Sequence, residues 1–356
     1  MKEQTVFRNG IQFLTVFALL VIIIAGVHLA QTVLMPFLIS VFLSILGSPI
    51  VRRLKKRKVP TGVAVLIVIS CIILIVGVIG LITGSFINNL LAALPQYQVR
   101  LHEHTAAFIA FLGSKGIIVG DDILTKSIST EEVAAVATGF LGGIGSLVSN
   151  IVVILLTVSF ILMEANSFPR KIRAAVENPN AAFPGFSNFM KEMSRFMIFQ
   201  TIYGLVTGII TAIWLTAFGV DFAVMIGLIT FFLCYIPNLG SAIALVITVA
   251  VSFIQLGPAK AGVVALGYLL FTFVLGSIIQ PRLMGKMLGL STLVVFLSVI
   301  FWGNILGPIG MMLCVPLTMA LKFGFESNES TRWIGVLLER SEKVPIQNSV
   351  LTNVTK

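Results

Sequence analysis

Three long stretches of this chain contain no Asp, Glu, Lys or Arg, and they limit what it can fold into. They lie between Arg8 and Arg52, between Lys58 and Arg100, and between Glu132 and Glu164. A membrane-spanning helix needs about 20 apolar residues, so these stretches hold roughly four spans or more. Only 11% of the residues are charged, whereas a soluble domain carries roughly 25%. The sequence therefore predicts an all-α polytopic membrane protein.

The basic residues predict the orientation. Six of them crowd the loop 52–58 between two apolar segments, and further basic clusters lie in 164–195 and 322–356. Loops rich in Lys and Arg stay in the cytoplasm, so we expect both termini to be cytoplasmic. Because the net charge of +10 arises largely from such loops, we expect 52–58 to contact anionic lipid headgroups and expect no nucleic-acid partner.

Apolar and polar segments predict five parts of the chain. They are the N-terminal membrane segments 1–84 (spans at about 11–29, 32–46 and 61–84), an extracytoplasmic helical element at 85–138, a span with a cytoplasmic amphipathic region at 139–195, a transport unit at 196–321, and a cytoplasmic tail at 322–356.

Two apolar segments of the transport unit contain helix breakers. Pro and Gly interrupt 219–255 at 237–241, and they interrupt 290–321 at 303–310. Each half is too short for a comfortable span, and each broken segment follows a full span. If both are re-entrant hairpins, the chain has about six full spans and two hairpins, with an inverted repeat in its C-terminal half. Eight to ten full spans place the same loops on the same sides and remain the alternative.

Broken helices at membrane depth are tolerated where they are buried in protein or line a watery cavity. Their ends present backbone polar groups and partial charges that can hold a polar solute or an ion, and short interrupted segments in inverted repeats indicate a transporter's site. The two breaks are expected at one level. The substrate-binding candidates are Pro237, Asn238, Gly240, Asn304, Gly307, Pro308, Gln200 and Gln280.

These candidates have plainer interpretations as well. The breaks can be tight loops between ordinary spans, and Gln200 and Gln280 can join helices to each other. Asp221 and Arg282, at the entrances of the two broken segments, are candidates for ion coupling. Arg282 fits equally well as a cytoplasmic anchor.

Motifs in the last third of the chain resemble those of the AI-2E family of bacterial transporters, and the general layout matches from about residue 10 to 325. The motif residues are Ile236, Pro237 and Gly240; Pro281, Gly285, Leu288, Gly289 and Leu290; and Gly307, Gly310 and Pro316. The chain departs from the family pattern at Asn238 and Leu239, which bears on the substrate more than on membership, and at or near Thr292.

The resemblance implies a secondary transporter in the bacterial inner membrane, without ATPase parts. Some members are credited with export of autoinducer-2 and others with Na+/H+ antiport, and the assembly is expected to be a homo-oligomer, a pentamer. The scarcity of acidic residues near the spans weakens the antiporter alternative. A membrane scaffold or assembly factor is the second alternative, and it predicts that Pro237-Asn238→Ala-Ala has no effect.

Motifs for catalysis and metal binding are missing from the sequence. Gly285-Lys286 lacks the preceding phosphate loop of a Walker A motif. His102 and His104 are two positions apart and do not share a helix face. The three cysteines lie in apolar segments, where small hydrophobic packing is their usual role. We therefore expect no enzyme activity, no cofactor and no metal.

Overall fold

The computed structural model of the protein describes residues 14–15, 18–19, 21–114, 149–165, 167, 171, 185–237, 239–280, 282, 289–328 and 330–339. Their helices are α1 (Gln31–Lys56), α2 (Thr61–Ser114), α3 (Ile151–Glu164), α4 (Phe186–Ala217), α5 (Ala223–Leu233), α6 (Leu239–Phe273), α7 (Thr292–Glu326) and α8 (Arg332–Leu337). A π-helical turn, Val274–Ile279, follows α6. No strand occurs within these ranges.

Five helical stretches in the described part of the chain are long and apolar enough to cross a membrane. They are Gln31–Lys56, Thr61–Leu90, Phe186–Ala217, Leu239–Ile279 and Thr292–Glu326. Two shorter apolar helices, α3 and α5, accompany them. Many large apolar side chains are exposed on these helices, as expected where lipid is the solvent. The prediction of an all-α polytopic membrane protein is confirmed.

Helices α1, α2 and α3 form an N-terminal bundle around a core of Val51, Val65, Val158 and neighbouring aliphatic residues. The hydroxyl of Ser40 donates to the Ile154 carbonyl across 3.2 Å and ties α1 to α3. Most of the predicted basic loop 52–58 belongs to the last turn of α1. These residues therefore lengthen α1, and the chain turns only at 57–60.

The first two predicted spans, 11–29 and 32–46, do not fold back on each other where the structure describes them. Residues 21–29 are helical and run into α1 through a single bend at Ala30. The Ala30 amide donates to the Gly26 carbonyl, and the Ala30 carbonyl accepts from Leu34, both across 2.9 Å. A reversal of chain direction needs several non-helical residues, and none is present at this point.

Helix α2 is much longer than the predicted span 61–84. It contains 54 residues, which corresponds to about 81 Å at 1.5 Å per residue, against a hydrocarbon core of about 30 Å. The part predicted as a separate outer element at 85–138 begins as a continuation of this helix, and 115–138 lie outside the described residues. Polar residues do not break a helix, and Pro95 is accommodated inside it.

Helices α4 and α6 position the C-terminal half. Helix α4 begins at Phe186, earlier than the predicted start at 196, because the amphipathic segment before the span is helical too. Helix α6 breaks at Gly257, with φ +79° and ψ 174°, inside the predicted turn 256–260. The residues 239–256 and 258–273 are therefore two separate helical segments, called α6a and α6b below.

Candidate transport site: two inverted helical hairpins

The first predicted break makes a helical hairpin, called hairpin 1 (223–256), from α5 and α6a. At its open end, the mouth, the Asp221 amide donates to Gln255 Oε1 across 2.7 Å. At the tip, 234–237, a Cβ on Gly240 would lie 1.8 Å from the Leu233 carbonyl oxygen. Only glycine permits this approach of α6a to the end of α5.

The second break makes hairpin 2 (292–326) inside α7. Trp302 Nε1 donates to Thr318 Oγ1 across 3.1 Å, whereas a continuous helix would separate these residues by about 24 Å. The reversal occurs at Gly307, whose φ of +65° is left-handed and strained for other residues. At the mouth, Lys322 Nζ donates to the Gly289 carbonyl across 2.8 Å. Hairpin 2 reaches Glu326 and exceeds the predicted end at 321.

The two hairpins open in opposite directions along α4. Val220 and Ala223 at the mouth of hairpin 1 pack with Leu215 near the C-terminal end of α4. The mouth of hairpin 2 lies at the other end, where Phe189 and Phe323 stack with ring centroids 4.7 Å apart. The order of span and hairpin therefore occurs twice, with opposite directions of entry.

The spans that precede the hairpins are antiparallel to each other. Trp214 Nε1 of α4 donates to the Val264 carbonyl of α6b across 3.3 Å. Farther along, a Cβ on Gly276 would lie 3.5 Å from the Tyr203 hydroxyl. Between residues 203 and 214 of α4, the contacting residue of the second span changes from 276 to 264. The two spans therefore run antiparallel, and the two units that they begin are inverted relative to each other.

The hairpin tips lie at different levels, against the expectation of one level. Tyr235 at the tip of hairpin 1 faces Phe42 of α1, with centroids 5.7 Å apart. Gly307 at the tip of hairpin 2 lies near Gln31 and Met35 of α1, which are eleven and seven positions, or about 16 and 10 Å, from Phe42. Hairpin 2 extends past the tip of hairpin 1, where Ile236 packs with Val295 and Val299 of its first arm.

The structure brings only some of the predicted binding residues together. Gln200, Pro237 and Gly240 gather at the tip of hairpin 1, where the buried Gln200 amide donates to the Cys234 carbonyl. This bond satisfies a carbonyl at the broken end of α5 and joins α4 to hairpin 1. Asn238 lies outside the described residues.

The remaining predicted binding residues lie elsewhere. Gly307 and Pro308 form the tip of hairpin 2, where His28 Nδ1 lies 3.1 Å from the Ile305 carbonyl. Asn304 is exposed and donates to the Ile300 carbonyl of its own helix across 2.8 Å. Gln280 follows the π-helical turn, and Arg282 comes two residues later, near the end of the described segment.

Asp221 belongs to a network that sequence reasoning missed, at the mouth of hairpin 1. The Tyr97 hydroxyl donates to Asp221 Oδ2 across 3.0 Å and accepts from Gln255 Nε2 across 2.8 Å. Burial, and then the hydrogen bond and negative charge of Asp221, raise the pKa of Tyr97 above its ordinary value of 10.0. The His104 ring covers Gly257 nearby, where a Cβ on that glycine would lie 3.2 Å from the ring. The part of α2 beyond its apolar span Thr61–Leu90 therefore covers this mouth.

Buried hydroxyls concentrate around hairpin 1. Thr207, Thr211, Thr230, Thr248, Ser252 and Tyr268 are all at most 1% exposed. Three of these hydroxyls, on Thr248, Ser252 and Tyr268, have no hydrogen-bond partner among the described residues. The sequence indicates two of these buried hydroxyls, because Thr248 and Ser252 are polar residues four positions apart in an otherwise apolar helix.

Metal-binding geometry is not found in the part of the chain that the structure describes. No group of three or more His, Cys, Asp or Glu residues there could hold a metal ion. The cysteines Cys71, Cys234 and Cys314 are free thiols.

Comparisons with known proteins agree with this architecture. The model of the AI-2E family transporters matches residues 17–327. The AI-2 transport protein TqsA of Escherichia coli is 34% identical over 343 residues, which cover 96% of this chain and 100% of that protein. A second Escherichia coli protein, described as "Putative transport protein YhhT", is 30% identical over 93% of this chain and 95% of its own length. The chain belongs to the AI-2E transporter family.

Proposed function

We propose that this protein is a secondary transporter that exports a small polar solute such as autoinducer-2. The observation that carries the proposal is the pair of inverted hairpins, each following a span, since interrupted segments of this kind form the sites of secondary transporters. The name of TqsA, a relative that aligns over its whole length, supports autoinducer-2 as the first solute to test.

The hairpin-bearing unit and the N-terminal bundle have separate apolar cores, so one can move against the other. Ile236 at the tip of hairpin 1 shares an apolar core with Val295 and Val299 of hairpin 2. The N-terminal bundle has a core of its own. Transport in this proposal is movement of the hairpin-bearing unit, about 196–326, against that bundle. Oligomeric assembly, cytoplasmic termini and headgroup binding by 52–58 remain predictions that accompany the proposal.

The test measures efflux of labelled autoinducer-2 from liposomes that contain the purified protein. Gly240→Ala is the test variant, because its methyl group would collide with the Leu233 backbone. Gly262→Ala is the matched control, since a Cβ there meets nothing within 4 Å. We expect efflux from wild type and from the control, and at least about a tenfold loss in Gly240→Ala.

Other outcomes separate the alternatives. Efflux no faster than from protein-free liposomes would contradict the proposal, provided that the protein elutes as one species with unchanged helicity. A proton flux that follows a sodium pulse and is lost in Asn304→Ala would instead indicate antiport. Full efflux activity of Pro237-Asn238→Ala-Ala would show that the first break has no role in transport.

A further inference from the structure

Three buried hydroxyls in the hairpin 1 unit lack the partners that buried polar groups normally have. A hydroxyl that is transferred from water into protein without a hydrogen bond destabilises the fold. Thr248 and Ser252 are 0% exposed and Tyr268 is 1% exposed. The other buried threonines nearby avoid this cost, for example Thr211, which donates to the Thr207 carbonyl.

The three groups form a series in depth that begins at the mouth. Counted along α6a from Leu239, Gln255 lies at about 24 Å, Ser252 at about 20 Å and Thr248 at about 14 Å. Gln255 belongs to the mouth network, so the two hydroxyls continue inward from it. Their spacing of three and four residues keeps them on one face of α6a.

Tyr268 extends the series toward the tip. Val264 of α6b packs in one cluster with Ile226 of α5, and these helices run parallel because each is antiparallel to α4. One turn farther along both, the Tyr268 hydroxyl lies beside Thr230 without meeting the geometry of a hydrogen bond to it. Thr230 is three residues from the end of α5, about 5 Å from the tip.

No charged side chain takes part in this series. Its members are hydroxyls, which both donate and accept hydrogen bonds. Such groups match an uncharged solute with several hydroxyl or carbonyl groups, whereas a carboxylate or a strongly hydrated cation would be left without a counter-charge in the membrane interior. The network of Tyr97, Asp221 and Gln255 lies at the mouth of hairpin 1, which is the entrance to this series of hydroxyls.

We propose that Ser252, Thr248 and Tyr268, which are closed off in this structure, become the lining of a binding site for a small uncharged polyhydroxylated solute when the mouth of hairpin 1 opens. This inference rests on the proposed transport function for its physiological meaning. It assigns the site to the interior of the hairpin 1 unit, between mouth and tip, and not to the space between the two tips.

The first test asks whether aqueous reagents reach the site, and it does not depend on transport. Ser252→Cys, Thr248→Cys and the control Thr211→Cys are made in a background of Cys71→Ser, Cys234→Ala and Cys314→Ala and placed in liposomes. A small hydroxylated methanethiosulfonate should label the first two at least about tenfold faster than the control, because Thr211 is equally buried but hydrogen-bonded. Equal labelling of all three would overturn the site.

The second test asks what binds. Autoinducer-2 or ribose should slow labelling of Ser252→Cys, and adding Tyr268→Phe should weaken that protection by about 5- to 10-fold through the loss of one hydrogen bond. Protection by sodium alone would overturn the solute class, and labelling that neither solute slows would overturn the binding site. Labelling with protection but without efflux would contradict the transport function alone, whereas efflux without labelling would contradict this site alone.

Discussion

Replacing Tyr97 with Phe should loosen the mouth of hairpin 1 while keeping its packing. The variant retains the ring that faces Phe222, 6.2 Å away, and removes the hydroxyl between Asp221 and Gln255. A hydrogen bond to a charged group contributes about 1.5–3 kcal/mol and a neutral one about 0.5–1.5 kcal/mol. Because Tyr97 is only half-buried, water replaces part of both. We expect mouth opening to become easier by about 1–2 kcal/mol, a factor of about 5 to 30.

Hydrogen exchange at the Asp221 amide measures this opening, since that N–H is protected by its bond to Gln255 Oε1. Exchange should accelerate by about 5- to 30-fold in Tyr97→Phe. Tyr235→Phe is the matched control, because its phenol is bonded to Thr201 at the tip, 2.7 Å away, and it should leave exchange at Asp221 unchanged. The same exchange rate in wild type and Tyr97→Phe would refute the view that this hydroxyl holds the mouth.

Two further predictions follow from close packing and from the perturbed phenol. Gly227→Ala should lower the free energy of unfolding by about 1–3 kcal/mol, because its Cβ would lie 2.5 Å from the Gly208 carbonyl oxygen. Gly80→Ala, which meets nothing within 4 Å, should leave the thermal midpoint in detergent unchanged, and equal midpoints for the two variants would contradict the packing. The raised pKa of Tyr97 means that the protonated phenol stabilises the fold fully below its unfolded pKa of 10.0 and loses that effect as pH rises through the higher folded value. An ultraviolet difference titration of wild type against Tyr97→Phe should therefore show no phenolate at pH 10, and an inflection at or below it would contradict the network.

The two chain reversals could be predicted from the sequence because each depends on local chemistry. Gly240 and Gly307 occupy positions where a Cβ collides or where φ is left-handed, and Pro237 and Pro308 cannot continue a helix's hydrogen bonding. Glycine and proline at such places are visible without any knowledge of tertiary contacts. The opposite directions of the hairpins followed from the distribution of basic residues, which obeys membrane topology and not packing.

The mouth network could not be predicted, because it joins residues that are far apart in the chain. Tyr97 and Asp221 are separated by 124 positions, and only Asp221, as the charged residue of an apolar segment, stands out in the sequence. Their contact depends on α2 continuing as a helix well beyond the membrane-length span. The relative level of the two tips could not be predicted for a similar reason. It depends on how far each hairpin reaches along α4, and their mouths lie at opposite ends of that helix.

The inverted repeat is symmetric in geometry but not in chemistry, and this difference assigns different roles to its halves. Hairpin 2 has an apolar interior of Val295, Val299 and Val315, and its buried hydroxyls on Ser298 and Thr318 are hydrogen-bonded. The hairpin 1 unit instead contains the three unpartnered hydroxyls. An apolar hairpin can close against its neighbours at little cost, whereas a polar occupant would stabilise an unpaired polar interior. We therefore expect solute contact at hairpin 1 and sealing by hairpin 2.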